Sequence, residues 1–126
     1  MNGQLAPKQH WTIARLTFWY LDRSRWRDAE TLARGLLTLD RRDGLAWKYY
    51  GEARRQQEDL EEAVRAFGEA ARLLEDDPDA WMRFGRCLLR LGRRDEAHQA
   101  LQRALACAGP KSARRRRIEA LLKMCG

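Results

Sequence analysis

The sequence predicts an all-α protein, a solenoid of three helix-turn-helix repeats followed by a C-terminal capping helix. Two stretches, 47–74 and 81–108, align at an offset of 34 residues, which pairs their tryptophans and places Gly51 over Gly85. Apolar side chains in each stretch recur at helical spacing. No segment alternates apolar and polar residues as a half-buried strand would. The period therefore predicts paired helices stacked in series.

Small residues at fixed places shape each repeat. Gly85 lies on the core face of a first helix, where the lack of a side chain lets the second helix approach. We expect Gly92 to end that first helix in a left-handed conformation, whereas the equivalent Glu58 must turn without glycine. Thr17 takes the glycine position in a degenerate first repeat, as terminal repeats are often atypical. The predicted core stripe of that repeat is Ile13, Leu16 and Tyr20.

The repeats and the last helix are expected to form one domain, 1–126. Pro78 prevents the second repeat from continuing, and Ser112 is a candidate cap for the last helix. In that helix an apolar stripe around Ile118 is backed by four arginines at 114–117, which we expect mostly to face water. The predicted ranges are about 8–40, 45–74 and 79–108 for the repeats and about 111–125 for the capping helix.

The pattern resembles the tetratricopeptide repeat, which has the same period, the tryptophan, the aromatic-glycine pair and the alternation of alanine with a large residue. This resemblance implies a right-handed α-solenoid. Tetratricopeptide proteins that hold the C-terminal carboxylate of heat-shock chaperones share a clamp of Lys, Asn, Asn, Lys and Arg. That clamp is absent here, because only Arg83 agrees with it, and the other matching places hold Ala14, Phe18, Tyr49 and Asp79.

The chain also resembles the small bacterial type III secretion chaperones with three such repeats, above all the class II chaperones of the translocators. The resemblance rests on the first-repeat end at 37–40, the runs 85–92 and 95–97, and the single trailing helix. It implies a cytoplasmic, protein-binding chaperone that holds a segment of a secretion substrate or apparatus component in its groove, with self-association through the first repeat. The alternative is a general scaffold for protein assembly.

Charge and segment composition limit the other functions. The net charge of +7 is uneven, because an acidic middle, 51–79, lies between basic ends. We expect no nucleic-acid binding, since the basic ends match no nucleic-acid module and the C-terminal one lacks interleaved aromatic residues. No apolar run approaches a membrane span, so membrane insertion is not expected. Residues 1–7 lack the regions of a signal peptide.

Catalytic and metal sites are not expected either. Residues 95–98 spell a helicase-like box, but no glycine-rich phosphate loop accompanies it, and 61–64 hold the repeat equivalent. The two histidines lie on different repeats, outside any zinc motif. Unpaired cysteine spacing fits reduced thiols, and we expect Cys87 and Cys107 to be buried as small hydrophobes. The sequence predicts neither an enzyme nor a cofactor.

The concave face remains for function, and in stacked helix pairs it is lined by the first helix of each repeat. We expect this groove to be aromatic at its N-terminal end and basic at its C-terminal end, and to bind a protein or peptide client. The candidate groove residues are Trp11, Ala14, Phe18 and Leu21 from the first repeat, Lys48, Tyr49, Glu52 and Arg55 from the second, and Asp79, Met82, Arg83, Arg86, Leu89 and Arg90 from the third.

The first helix carries a second candidate surface. Apolar side chains cover almost its whole circumference, yet it stands at the end of the solenoid, where only one side can pack on its own repeat. Soluble proteins seldom leave such a patch open. We therefore expect an interface with a second copy of the chain, or with the client, through Trp11, Phe18 and Trp19.

Overall fold

The computed structural model describes residues 6–126, which form seven helices and no strand. Residues 1–5, part of the segment for which no signal peptide is expected, lie outside the described residues. Three helix pairs, α1 with α2, α3 with α4 and α5 with α6, stack in series, and α7 packs on the last pair. The helices are α1 Pro7–Asp22, α2 Trp26–Leu39, α3 Gly44–Gln56, α4 Leu60–Leu73, α5 Pro78–Arg90, α6 Arg94–Cys107 and α7 Ala113–Met124.

Within the second and third repeats, a glycine on the first helix faces a large side chain on the second. A Cβ atom added to Gly51 would lie 2.9 Å from Cε1 of Phe67, and one added to Gly85 would lie 2.6 Å from Cγ of Leu101. Phe67 and Leu101 are both fully buried, so neither can withdraw. The predicted role of Gly85 as a helix-helix contact is confirmed.

Helix α1 differs from its predicted core stripe. Its buried residues are Ala14 and Thr17, while Ile13 and Tyr20 are half-buried and Leu16 is 41% exposed. The prediction that Leu16 lies in the core is wrong, because α1 packs mainly on α2 and α3 and turns its small side chains towards them. The Thr17 hydroxyl is satisfied locally, since it donates to the carbonyl of Ile13 at 2.8 Å.

The three turns within the repeats share one backbone geometry. Ser24, Glu58 and Gly92 stand 34 residues apart and have φ of +60°, +64° and +78°. In the second turn the N–H of Asp59 donates to the carbonyl of Arg54 at 3.0 Å, which is the long bond of a Schellman motif. The prediction for Gly92 is confirmed. The turn at Glu58 adopts the same left-handed shape without glycine, which strains its backbone.

We expect Glu58→Gly to raise the free energy of unfolding by about 1 kcal/mol, because glycine removes the left-handed strain of a residue with a side chain. The Glu58 side chain makes only an exposed contact with Arg90, at 3.3 Å. Urea unfolding followed by circular dichroism measures the change. Gly92→Ala is the matched control and should shift stability in the opposite direction. A less stable Glu58→Gly variant would contradict the strain.

Helix α7 covers the end of the third repeat. Its Ile118 is fully buried in a cluster with Met82 of α5 and Leu101 of α6. The predicted cap is confirmed, because the Ser112 hydroxyl accepts a hydrogen bond from the N–H of Arg114 at 3.2 Å. Met82 is only 4% exposed, so the expectation that it lines the groove is wrong. Its side chain packs against Ile118 of α7 and is therefore not available to the groove.

Two cysteines expected in the core have different environments. Cys87 is fully buried, as predicted, and burial raises the pKa of its thiol to about 11. Cys107 is only partly buried, and its Sγ donates to the carbonyl of Glu75 at 3.4 Å. The expectation of full burial is wrong for Cys107, because it ends α6 beside the α4–α5 connection rather than between helices.

Candidate protein-binding groove

The first helices of the three repeats enclose a cavity of about 380 Å³, which we call the central pocket. Apolar side chains from α1 and α3 form one part of its wall, and charged side chains from α3 and α5 form the other. Most of the predicted groove residues of the first two repeats meet here. The pocket is lined by Phe18, Leu21, Asp22, Leu45, Lys48, Tyr49, Glu52, Asp79 and Arg83.

The apolar part of the central pocket is built around two aromatic rings. The ring centroids of Phe18 and Tyr49 are 6.5 Å apart, with the planes tilted by 50°. Phe18 is 58% exposed, so its ring is available to a ligand. The hydroxyl of Tyr49 is protonated at neutral pH and can donate a hydrogen bond, and burial raises its pKa further. This part of the pocket suits an apolar side chain.

The charged part consists of ion pairs that join α3 to α5. Lys48 Nζ lies 2.8 Å from a carboxylate oxygen of both Asp77 and Asp79. Arg83 lies between two acids, with Nε 2.9 Å from Asp79 Oδ2 and Nη1 2.6 Å from Glu52 Oε1. Each of these cations therefore contacts two carboxylates, which hold the Lys48 and Arg83 side chains in fixed positions in the groove.

Asp79 is the most buried acid of this group, at 7% exposure. Burial alone would raise the pKa of its carboxyl group, but the hydrogen bonds and charges of Lys48 and Arg83 outweigh that effect and lower the pKa below its ordinary value. Arg114 of α7 approaches the other oxygen, Oδ1, at 3.5 Å. One carboxylate thus connects the second repeat, the third repeat and the capping helix.

The C-terminal end of the groove is basic, but only part of that charge is neutralised. Arg55 pairs with Glu52 at 2.7 Å, and the exposed Arg90 approaches Glu58 at 3.3 Å. Arg86 is half-buried, and its Nε has no hydrogen-bond partner within residues 6–126. Leu89 is half-buried against the core of the third repeat.

Two predicted groove residues of α1 do not line the central pocket. Ala14 is buried against the neighbouring helices, so its expected place in the groove is wrong. Trp11 is 58% exposed on a different side of the helix, in a cavity of about 380 Å³ formed by α1 alone. We call this surface the outer α1 face. It consists of Trp11, Thr12, Arg15, Leu16 and Trp19.

The three aromatic residues predicted as one interface are therefore divided between two surfaces. Trp11 and Trp19 lie on the outer α1 face, whereas Phe18 lies in the central pocket. Arginine side chains approach both indole rings, with the guanidinium carbon of Arg15 at 4.6 Å from Trp11 and that of Arg23 at 4.1 Å from Trp19. The outer face is thus apolar with a basic margin.

Sequence reasoning missed Leu45 as a member of the pocket. Leu45 stands 34 residues after Trp11 and 34 before Asp79, both of which are among the predicted groove residues. The repeat alignment alone could have identified it. Asp22, in the last turn of α1, was also missed, although it stands two repeat periods before Arg90, another predicted groove residue.

A larger cavity, of about 620 Å³, lies between α5 and α6 and includes Trp81 and Phe84. The guanidinium carbon of Arg103 lies 4.7 Å from the centroid of the Trp81 ring and narrows this cavity. The indole N–H of Trp81 donates to the carbonyl of Glu75 at 2.8 Å, which fixes the ring against the α4–α5 connection. We place the candidate site in the central pocket, because it joins side chains from three separate repeats.

Comparison with known families decides the identity of the repeat. Two family models described as tetratricopeptide repeat match the chain, one over residues 54–122 and the other over residues 20–78. The chain is a tetratricopeptide repeat protein. No curated protein sequence matches it. In this tetratricopeptide repeat protein, no helix within residues 6–126 is both long enough and apolar enough to cross a membrane.

Solved structures share the architecture of this tetratricopeptide repeat protein. The type III secretion translocator chaperone SycD of Yersinia enterocolitica has 20% sequence identity and a TM-score of 0.90, covering 99% of this chain and 88% of that one. PcrH from Pseudomonas aeruginosa has 24% identity and a TM-score of 0.87, covering 97% and 95%. PcrH in complex with the chaperone binding region of PopB has 25% identity and a TM-score of 0.86, covering 94% and 98%. The predicted three-repeat solenoid with a capping helix is confirmed.

Proposed function

We propose that this protein is a chaperone of the type III secretion kind, which binds a segment of one secretion substrate or apparatus component in its groove in the bacterial cytoplasm. The observation that carries this proposal is the central pocket, which three adjacent first helices form and where the exposed Phe18 of α1 lies beside ion-paired charges of α3 and α5. The proteins that share the fold include PcrH, solved in complex with the chaperone binding region of PopB. The role is one of binding, without catalysis.

The pocket has the properties that recognition of an extended segment needs. Apolar side chains supply buried area, and the ion pairs of Lys48 and Arg83 keep the charged wall in position before a ligand arrives, which reduces the entropy lost on binding. A general scaffold, the alternative, would bind several partners through different surfaces. The two functions therefore differ in the number of partners and in their dependence on the central pocket.

The test is capture of partners from the native host with the tagged full chain, followed by mass spectrometry. We expect one dominant client from a secretion apparatus. Its recovery should fall about ten-fold or more with Phe18→Ala combined with Tyr49→Ala, because truncating two anchoring aromatic residues typically costs at least 1 to 2 kcal/mol each. Circular dichroism establishes that the variant remains folded.

A control variant changes an exposed position away from the groove, Thr38→Ala, where the hydroxyl bonds only to its own helix. It should recover the client as well as the parent does. Recovery of many unrelated proteins, or of the same client by the pocket variant at undiminished yield, would reject the chaperone function in favour of the scaffold. Co-expression should also keep the client in the soluble fraction, and the pocket variant should lose that effect.

We also propose that the outer α1 face joins two copies of the chain. Trp11 and Trp19 are 58% and 42% exposed and lie on a surface that no other helix within residues 6–126 contributes to. We expect Trp11→Ser with Trp19→Ser to convert a dimer into a monomer, as measured by light scattering, because buried tryptophans are the usual anchors of an interface. A folded variant that keeps the parent's mass would refute this interface.

The absence of nucleic-acid binding stays a prediction, and two contacts support it. Arg114 is directed to Asp79, and Arg115 donates from Nη1 to the carbonyls of Leu105 and Ala108 at 3.4 Å. These carbonyls lie at the C-terminal end of α6, where a positive charge interacts favourably with the helix dipole. Two of the four arginines at 114–117 therefore serve contacts within the protein.

A further inference from the structure

Arg86 stands out among the arginines of the groove. Arg55, Arg83 and Arg90 each form an ion pair with a glutamate of the second repeat. Arg86 lies on α5 between Arg83 and Arg90, is half-buried, and forms no ion pair within the described part of the chain. Its Nε is buried without any hydrogen-bond partner.

The reason for this lies in Glu52, whose two oxygens are already used. Oε1 accepts from Nη1 of Arg83 at 2.6 Å and from Nη2 of Arg55 at 3.2 Å, whereas Oε2 accepts from Nε of Arg55 at 2.8 Å and lies 2.7 Å from Nη2 of Arg55. The carboxylate therefore has no strong site left for a third guanidinium. Burial, followed by the positive charges of Arg55 and Arg83, lowers the pKa of Arg86. The groove thus holds a partly desolvated cation among like charges, an arrangement that disfavours the unliganded protein.

A carboxylate from a ligand would neutralise the unpaired positive charge of Arg86. Guanidinium groups bind carboxylates through two parallel hydrogen bonds, which are stronger than bonds between neutral groups. Arg86 follows Arg83, a member of the central pocket, by one helical turn on α5. A ligand that fills the apolar part of the pocket could therefore also reach Arg86.

We propose that Arg86 is the anchor for a carboxylate of the bound segment, so that the groove selects segments in which an acidic group accompanies apolar residues. This inference rests on the proposed function, because it specifies the chemistry of a ligand in the same groove. It assigns separate tasks to the two ends of the site. The aromatic side chains of the pocket provide affinity for apolar residues, and Arg86 fixes their distance from an acidic group.

The proposal gives Arg86 opposite effects on folding and on binding. In the free protein, Arg86→Gln should leave the melting temperature unchanged or raise it, since the change removes a cation that lacks a partner. In the complex, the same change should weaken binding about ten- to hundred-fold, the usual loss for a hydrogen bond to a charged group. A purely structural arginine would instead lower the melting temperature when replaced.

The experiment uses a library of short synthetic peptides with amidated C-termini, screened against the full chain and ranked by fluorescence anisotropy. For the parent protein we expect the strongest binders to carry Asp or Glu at a constant distance from an apolar residue. Arg86→Gln should lose that acidic preference, and Arg86→Glu should replace it with a preference for Lys or Arg at the same place. Arg72→Gln is the matched control, because Arg72 is exposed on α4, outside the groove, and contacts Glu69 at 2.8 Å.

A second library with free C-termini separates the two sources of a carboxylate. Binding that needs the free terminus and Arg86 would assign the anchor to a terminal carboxylate, whereas binding of amidated acidic peptides assigns it to a side chain, and either result supports the anchor. Peptides that bind through Phe18 and Tyr49 but show no acidic preference dependent on Arg86 would overturn the anchor and leave the proposed function standing. A protein that binds no peptide in the groove would overturn both.

Discussion

Gly85→Leu is expected to lower the free energy of unfolding by about 1 to 3 kcal/mol, because the new side chain overpacks a filled interface. The first added carbon alone would lie 2.6 Å from Cγ of Leu101 and 3.4 Å from the carbonyl oxygen of Ala97. Leu101 is fully buried between α5, α6 and α7, so it has no free space to enter. Thermal unfolding should show a melting temperature lower by roughly 3 to 12 °C for a domain of this size.

Gly35→Ala is the matched control for this prediction. Gly35 lies within α2, and an added Cβ would meet no atom within 4 Å. That variant should be more stable by about 0.5 to 1 kcal/mol, since alanine is the better helix former. In addition, Leu101→Ala should recover part of the stability lost in Gly85→Leu. An unchanged melting temperature in Gly85→Leu would contradict the packing of the third repeat.

Asp79→Asn is expected to lower the free energy of unfolding at neutral pH by about 1 to 3 kcal/mol. Removal of one partner from a fully buried ion pair typically costs 3 to 5 kcal/mol. The smaller figure applies here because Lys48 keeps Asp77 and Arg83 keeps Glu52 as partners. Arg83 also remains partly in contact with water, which screens its charge.

The pH dependence of that variant identifies the carboxylate as the cause. Folding lowers the pKa of Asp79 below its ordinary value of 3.8. As the pH falls, the unfolded chain therefore takes up a proton at this residue before the folded protein does. Its contribution is therefore complete above about pH 4 and is lost as the pH falls through the lower folded pKa. The stability difference between parent and Asp79→Asn should shrink below about pH 4.

Asp76→Asn serves as the control, because Asp76 is exposed in the α4–α5 connection. It should change stability little at any pH. If parent and Asp79→Asn differ by the same amount at acid and neutral pH, the ion pairs of Asp79 are not the source of the effect. Urea unfolding at each pH provides the comparison.

The fold could be predicted from the sequence because each structural position of the repeat occurs at least twice, 34 residues apart. The match of Gly51 with Gly85 indicated the helix-helix contact, and the left-handed turn predicted at Gly92 also occurs at Ser24 and Glu58. The repeat pattern predicts burial less well for a helix that packs on one side only. Leu16 occupies a core position of the repeat pattern but is 41% exposed, because α1 packs mainly on α2 and α3 and directs Ala14 and Thr17 towards them.

The site was harder to predict, because helical spacing gives the face of a residue but not the neighbour that covers it. Met82 has groove spacing, yet Ile118 of α7 packs over it. Phe18 and Trp19 are adjacent in sequence and were assigned to one interface, but successive helical residues point in directions about 100° apart, and they lie on separate surfaces. The unsatisfied Arg86 could not be foreseen, since it depends on how Glu52 is shared.

Helix α1 buries only two side chains, Ala14 and Thr17, so little packing holds it on the rest of the solenoid. In a solenoid, stability is a sum of terms for each helix pair and each interface between neighbours. An end element packs on one side only, so it opens more readily than the middle of the solenoid. Opening of α1 would remove Phe18 and Leu21 from the central pocket. Folding of the first repeat and ligand binding are then a single linked equilibrium, in which an occupied groove closes the end of the solenoid.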